Sequence, residues 1–167
     1  MIQCCIFDLD GTLLNTLKAL TYTTNLVLEH FGYGPVEEEN MKKFVGDGYK
    51  MQLERALRYA GDETLKHHEE SLPVYTELFA KHCLYQVEPY DGIRELLAGL
   101  KERGIKLAVL SNKPHARTVE NIEAVFGKDY FDVIAGEMPG VPKKPDPAGE
   151  MRILHKFNDI FLCIMSE

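Results

Sequence analysis

Phe7-Asp8-Leu9-Asp10-Gly11-Thr12-Leu13-Leu14 stands near the start of a 167-residue chain, directly behind the apolar run Ile2–Phe7. That run leaves no room for a helix and reads as a buried strand. It delivers two carboxylates, two residues apart, onto a turn that contains a glycine. Acids at the end of an apolar strand are costly unless they are paired, hydrogen-bonded or metal-bound. One suits a nucleophile and the other a proton donor, with a cation holding the pair. Gly11 lets the backbone fold tightly, so that its N–H groups face an anionic group. The same D-x-D-G composition also makes an ordinary polar turn, and on these residues alone both readings stand.

Downstream of this turn, Thr16 is placed to cap a helix in which Leu17, Leu20, Thr24, Val27, Leu28 and Phe31 recur at helical spacing. Glu37, Glu38 and Glu39 open a short acidic helical segment, where negative charge suits a helix start. Val45-Gly46-Asp47-Gly48 is a break. Leu53, Ala56, Leu57 and Ala60 then mark a helix that stops at Gly61, and Leu72, Tyr75, Leu78, Phe79 and Cys83 mark a longer one. The region 16–85 therefore reads as helical, without a strand.

Val87-Glu88-Pro89-Tyr90-Asp91-Gly92 reads as a turn-rich hinge, after which the pattern changes. A helix through Ile93, Leu96, Leu97 and Leu100 ends at Gly104. A strand from Ile105 to Leu110 runs into Ser111-Asn112-Lys113-Pro114. A helix through Val119, Ile122, Val125 and Phe126 follows, then a short strand from Phe131 to Ile134 and a loop from Gly136 to Pro147. A helix through Met151, Leu154 and Phe157 and a strand from Ile160 to Met165 complete the series. Such alternation predicts an α/β fold, a Rossmann-like parallel sheet with helices on both faces. Ligands in these folds sit at the carboxyl ends of the strands. Those ends carry Asp8 and Asp10, Ser111 and Asn112, and Ser166 and Glu167, with Lys143 and Lys144 on a loop nearby. The helical block is too long for a crossover and reads as an inserted subdomain. The expected division is a core of 1–15 and 86–167 and a helical cap of 16–85.

An apolar content of 45% with 27% charged residues is ordinary for a chain that buries a core. A net charge of −7 gives no broad footprint for nucleic acid or an anionic membrane. Any phosphate must then be held locally, by placed cations and backbone N–H groups. Cys4, Cys5, Cys83 and Cys163 lack C-x-x-C spacing and are expected as reduced, buried thiols. The start shows no signal peptide and no run reaches membrane-helix length, so a cytoplasmic location is expected. Two acids, a hydroxyl and a lysine at one sheet edge suit phosphoryl transfer, which is mostly positioning and charge neutralisation.

Three motifs in order carry a family resemblance. Asp8-Leu9-Asp10-Gly11-Thr12-Leu13, then Ser111-Asn112-Lys113-Pro114, then Gly140-Val141-Pro142-Lys143-Lys144-Pro145-Asp146-Pro147 resemble the first three motifs of the haloacid dehalogenase (HAD) superfamily. The spacing is that of the branch with a helical cap inserted after the first motif. In detail the chain is similar to the phosphoglycolate phosphatases, including Val45-Gly46-Asp47-Gly48 leading into Leu53-Glu54-Arg55-Ala56-Leu57.

The resemblance implies a magnesium-dependent phosphomonoester hydrolase acting on a small phosphorylated metabolite through an aspartyl phosphate on Asp8. Asp10 would protonate the leaving oxygen and then activate water. Ser111 would hydrogen-bond the phosphoryl group, and Lys144, which directly precedes Pro145, would neutralise it in preference to Lys143. Leu9, Gly11, Thr12 and Asn112 are expected around the phosphate. Asp8 and the Asp10 carbonyl would hold Mg2+, with Glu167 as a substitute ligand where Ser166-Glu167 replaces the Gly-Asp of the fourth motif. That departure makes the core C-terminally incomplete in expectation, and the activity weak. A β-phosphoglucomutase-like phosphosugar mutase shares the first motifs, and a truncated phosphate-binding module is the non-enzymatic alternative. A monomer or dimer is expected.

Elsewhere, Gly46 and Gly48 read equally as a loop closing over substrate or as a plain turn. Arg55 reads as a receptor for a substrate carboxylate or as a surface charge. His67-His68 reads as a solvated stretch, His115 as a helix-capping or exposed residue, and Lys113 as surface.

Overall fold

The computed structural model describes residues 2–157 and the strand at 162–165. The chain divides into two compact units. One comprises the residues up to Asn15 and those from Glu88 onward, and the other is Thr16–Val87.

The first unit is built on a four-stranded parallel sheet. Strands β1 (Cys4–Phe7), β4 (Lys106–Pro114), β5 (Val133–Glu137) and β6 (Leu162–Met165) lie in the order β5-β4-β1-β6. Between them in sequence, β2 (Leu14–Asn15) and β3 (Glu88–Pro89) form a short antiparallel pair. This pair sits where the chain leaves for the helical unit and where it returns. Every residue of β1 is buried, as expected for a strand covered on both faces. Cys5 pairs in register with Leu107 on one side and Cys163 on the other. Helices α5 (Ile93–Glu102), α6 (His115–Phe126) and α7 (Ala148–Lys156) complete the unit. Cys4, Ile6, Ala108, Leu110, Val133 and Ile153 form one apolar cluster, each large aliphatic chain contributing about 1.5–3 kcal/mol on burial.

The sequence reading of these strands needs two adjustments. The β4 strand does not stop at Leu110 but continues through Ser111-Asn112-Lys113-Pro114, with a register shift against β5 between Leu110 and Pro114. The β5 strand begins at Val133 rather than Phe131 and runs on to Glu137. Ser111-Asn112-Lys113-Pro114 conceal the first extension by their polarity, and Gly136 and Glu137 interrupt the apolar run of the second.

The second unit holds α1 (Leu17–His30), α2 (Glu38–Met41), α3 (Tyr49–Tyr59) and α4 (His68–His82). One apolar cluster includes Leu20, Val27, Leu53, Tyr75 and Phe79, and a second includes Leu28, Val36, Met41, Ala56 and Leu57. The Asn25 side chain exchanges two hydrogen bonds with the Val36 backbone, fixing the segment that leads into α2. Thr16 occupies the position before α1, but its side chain makes no capping hydrogen bond. Cys4, Cys5 and Cys83 are free and buried, and burial, with Cys5 adjacent, pushes the Cys4 thiol up to about 11. A thiol held that high is protonated and inert at neutral pH.

His67 and His68 are not the solvated stretch the flanking charges suggest. Asp62, 5% exposed, accepts the backbone N–H groups of Lys66 at 2.9 Å and His67 at 3.0 Å just before α4. The His67 ring lies 5.1 Å from the Phe31 ring, and its Nδ1 meets the Tyr33 hydroxyl at 2.8 Å. His68 Nε2 meets the Lys50 carbonyl at 3.1 Å.

Burial pushes the Asp62 carboxyl up, but the His67 and Lys66 amides and the nearby His67 ring outweigh it, and the net shift is downward. A carboxyl lowered on folding stabilises the fold above its unfolded pKa, about 3.9, and loses that contribution as pH falls through the folded value. Asp62→Ala is therefore expected to melt below the parent at neutral pH, with the gap closing below roughly pH 4. Thermal melts across that range decide it, and a gap independent of pH would remove the carboxylate from the account.

Candidate active site

The turn after β1 closes on itself. The Leu9 carbonyl accepts the N–H groups of Thr12, Leu13 and Leu14 at 3.3, 3.1 and 3.0 Å, while Gly11 N donates to the Leu14 carbonyl at 3.0 Å. Gly11 sits at φ +83°, a conformation open to glycine at little cost. The amides of residues 11–14 are therefore engaged within the turn rather than facing an anion, contrary to the expectation for Gly11. The Leu9 N–H donates to Asp8 Oδ1 at 2.7 Å, so it too is committed to the protein. One unengaged polar atom of the turn is on a side chain. The Thr12 hydroxyl oxygen is buried without a hydrogen-bond partner.

Each acid of the turn is met by a different lysine. Lys144 Nζ lies 2.8 Å from Asp8 Oδ2, and Lys113 Nζ lies 2.8 Å from Asp10 Oδ1. Both carboxylates remain partly open, at 23% and 21% exposure. The Lys144 side chain is 21% exposed, but that of Lys113 is 2% exposed, so Lys113 is buried rather than on the surface. A buried ammonium is tolerable only when paired.

The β4 strand supplies the next layer. The Ser111 hydroxyl oxygen accepts the Lys113 N–H at 3.2 Å, which leaves the hydroxyl proton to be donated elsewhere. The Asn112 amide grips the backbone of Lys144 on both sides. Its Oδ1 accepts the Lys144 N–H at 2.9 Å and its Nδ2 donates to the Lys144 carbonyl at 3.2 Å. Asn112 thus holds the loop that carries the lysine.

On the same loop Lys143 turns to Glu137 at 3.0 Å, and Asp146 Oδ1 accepts the Ala148 N–H at the start of α7. The Lys144–Pro145 peptide bond is cis. His115 Nδ1 accepts the Gly136 N–H at 3.2 Å, tying α6 to β5 rather than capping its own helix. Behind Lys144 lies a cavity of about 310 Å3 lined by Ser111, Asn112, His115, Glu137 and Arg152 among others.

Asp8, Asp10, Gly11, Thr12, Ser111, Asn112 and Lys144 are all in the first unit. Gly46, Gly48 and Arg55 belong to the helical unit and form a cluster of their own. Arg55 donates to the Phe44 carbonyl at 2.9 Å and pairs with Asp47, clasping the loop in which Gly46 and Gly48 take φ +113° and +87°. Glu167 lies outside the described residues. Lys113 is the residue the sequence reading passed over. Its neighbours Ser111, Asn112 and Pro114 are turn-forming residues, so the sequence carries no local signal of its burial.

The model of the haloacid dehalogenase-like hydrolases matches residues 5–159. The chain belongs to that family. A phosphoglycolate phosphatase of Nitrosospira multiformis is 31% identical over 156 residues, covering 92% of this chain and 67% of its own length. A solved Lactobacillus delbrueckii structure, provisionally assigned as a phosphoglycolate phosphatase, superposes with a TM-score of 0.87 at 30% identity. That match covers 93% of this chain and 73% of the other. CbbY from Rhodobacter sphaeroides, solved in complex with phosphate, gives 0.73 at 29% identity over 95% of this chain and 73% of the other. The parallel sheet with its helices is accordingly the haloacid dehalogenase-like fold, and the motifs of this family member fall at the carboxyl ends of β1 and β4 and on the loop after β5.

Two glycines support this arrangement by lacking side chains. A Cβ on Gly136 would lie 2.6 Å from His115 Cα and 2.7 Å from the Lys113 carbonyl oxygen, both backbone atoms. A Cβ on Gly149 would lie 2.8 Å from Leu110 Cδ1, the end of a flexible chain. Gly136→Ala is expected to cost about 1–3 kcal/mol or more by overpacking, and Gly149→Ala distinctly less. Denaturant unfolding of both variants measures this, and equal costs would contradict the backbone clash.

Proposed function

We propose that this chain is a magnesium-dependent phosphomonoester hydrolase acting on a small phosphorylated metabolite, with 2-phosphoglycolate the first candidate. The observation that carries the reading is the pair Asp8 and Asp10 on one turn, each acid tied to its own lysine. The names of the relatives support the substrate class.

Among the described residues no group of three or more metal-binding side chains gathers. Magnesium needs no such cage, since it binds through one or two carboxylates and keeps several waters. The two-acid turn fits that demand, because each Asp8 oxygen keeps a lone pair beyond its contact with Leu9 N or Lys144. The Asp8 carboxylate and the Asp10 carbonyl would hold the ion. Neutralising charge on the phosphoryl oxygens is the chemistry magnesium supplies when bound.

The protein's own groups account for the steps. An Asp8 carboxylate oxygen bonds to phosphorus as the ester P–O bond breaks. The leaving oxygen takes that electron pair and a proton from Asp10. Water then attacks phosphorus, gives a proton to Asp10, and releases inorganic phosphate from Asp8. Lys144 neutralises Asp8 and the incoming phosphoryl oxygens, and the Ser111 and Thr12 hydroxyls donate to them. Asn112 serves the reaction by holding Lys144.

Phosphate release from 2-phosphoglycolate and p-nitrophenyl phosphate, with and without Mg2+, tests this reading. Asp8→Asn is expected to abolish release, and Lys144→Met to reduce it by roughly 10²–10³-fold. Undiminished release from folded Asp8→Asn would overturn the covalent route. Conversion of a sugar 1-phosphate to its 6-phosphate without phosphate release would replace a hydrolase with a mutase.

A further inference from the structure

A second set of polar groups gathers away from the two acids of the turn. The cavity of about 310 Å3 behind Lys144 falls within the size of small-molecule sites, roughly 300–1,000 Å3. Neither Asp8 nor Asp10 lines it, and among the described residues that do, Glu137 is the one acid. Leu110, Val133 and Ile153 give it an apolar wall.

The polar lining comes from three elements and is largely uncommitted. On β5, Glu137 Oε1 pairs with Lys143 at 3.0 Å, while Glu137 Oε2 is buried without a hydrogen-bond partner. On α6, His115 Nδ1 accepts the Gly136 N–H at 3.2 Å. A ring nitrogen that accepts carries no proton, so the proton sits on Nε2, and no described residue takes up that N–H. On α7, Arg152 and Lys156 stand four residues apart on one face of the helix. Neither side chain forms an ion pair or hydrogen bond among the described residues. The cavity thus offers two cations, one neutral donor and one acceptor beside an apolar surface.

We propose that this cavity is a binding site for a small 2-hydroxycarboxylate with an apolar tail. The carboxylate meets the Arg152 guanidinium in a charge-assisted contact, with Lys156 adding charge on the same face. The hydroxyl donates to Glu137 Oε2 and accepts from His115 Nε2, because a hydroxyl can do both. His115 is bonded to Gly136, the residue before Glu137, so this donor and acceptor are neighbours in the wall. The tail lies against Leu110, Val133 and Ile153. A 2-amino acid fits less well, since its ammonium has no lone pair for the His115 N–H. Binding here requires no phosphoryl chemistry and stands whether or not the chain is a hydrolase.

Amide-detected NMR titration of the full chain with 2-hydroxy-4-methylpentanoate tests the assignment. Two ligands of the same shape run beside it: 4-methylpentanoate, which lacks the hydroxyl, and leucine, which carries an ammonium in its place. The hydroxy acid is expected to bind with a Kd of about 0.1–1 mM and to shift amides around Gly136 and Arg152. The other two should bind at least about 5-fold more weakly, because each leaves a buried polar group of the wall unpaired. Arg152→Met, on an exposed position of α7, should weaken the hydroxy acid at least about 10-fold.

Absence of any shift up to roughly 10 mM, well above the expected Kd, would overturn the site as a whole. So would shifts confined to residues outside the cavity, or undiminished binding by folded Arg152→Met, which would place the ligand beside Lys144 instead. Equal affinity for 4-methylpentanoate would overturn the role of the hydroxyl, and equal or tighter binding of leucine would overturn the choice of hydroxyl over ammonium. Lys156→Met serves the same comparison if Arg152→Met does not fold. The three ligands on the unsubstituted chain decide the matter even if neither variant folds.

Discussion

Two carboxylates on one turn repel each other, and everything else about the site follows from how that repulsion is met. Like charges about 4 Å apart near a protein surface interact by about 4 kcal/mol at an effective dielectric of 20, and by less as they separate. The turn after β1 cannot offset this alone, because its amides are engaged in closing it. The compensating charges arrive from elsewhere in the chain, Lys113 from β4 and Lys144 from the loop after β5. The strand order β5-β4-β1-β6 sets β4 directly beside the acids, and Asn112 on β4 ties the lysine-bearing loop to that strand. Charge pairing at the turn and the topology of the sheet are thus one constraint seen at two scales.

The precision of the pairing depends on residues that carry no chemistry. Asn112 uses both faces of its amide on the Lys144 backbone, so the lysine is aimed by a side chain on the adjacent strand. Gly136 lets β5 approach the Lys113 carbonyl and the first residue of α6, and Gly149 lets α7 settle on Leu110. Asp146 starts α7 by accepting the Ala148 N–H. Each is a small or short polar residue at a point of close approach, where a larger side chain would move a strand and, with it, a charge.

Much of this was legible in the sequence, and the parts that were not share a cause. Apolar runs marked β1 and the early part of β4, and helical spacing marked α1, α3, α4, α5 and α6, because burial imposes those periods directly. The choice of Lys144 over Lys143 agrees with the geometry, since only Lys144 reaches Asp8. What escaped were polar residues whose roles are set by distant partners. Lys113 read as surface because no local pattern announces an acid lying 103 residues earlier in the chain. His67 read as solvated because its neighbours are charged, yet its ring is claimed by Phe31 and Tyr33. Gly11 was expected to free amides for an anion, whereas the turn it permits consumes them.

That last difference changes how an acidic chain can hold a phosphate. With a net charge of −7 the protein's long-range field opposes an incoming dianion, so attraction must come from short-range contacts. Backbone amides in the first turn are engaged, and Lys113 is sealed behind Asp10. Among the described groups that can meet a phosphoryl oxygen are the Lys144 ammonium and the Ser111 hydroxyl, whose proton is not committed to Lys113. The Thr12 hydroxyl is buried with an unmet hydrogen bond. A site so arranged is nearly neutral before substrate arrives, each acid matched by one lysine. It becomes attractive to phosphate beside the Lys144 ammonium, which lies 2.8 Å from Asp8 and so confines binding to the place where Asp8 can react.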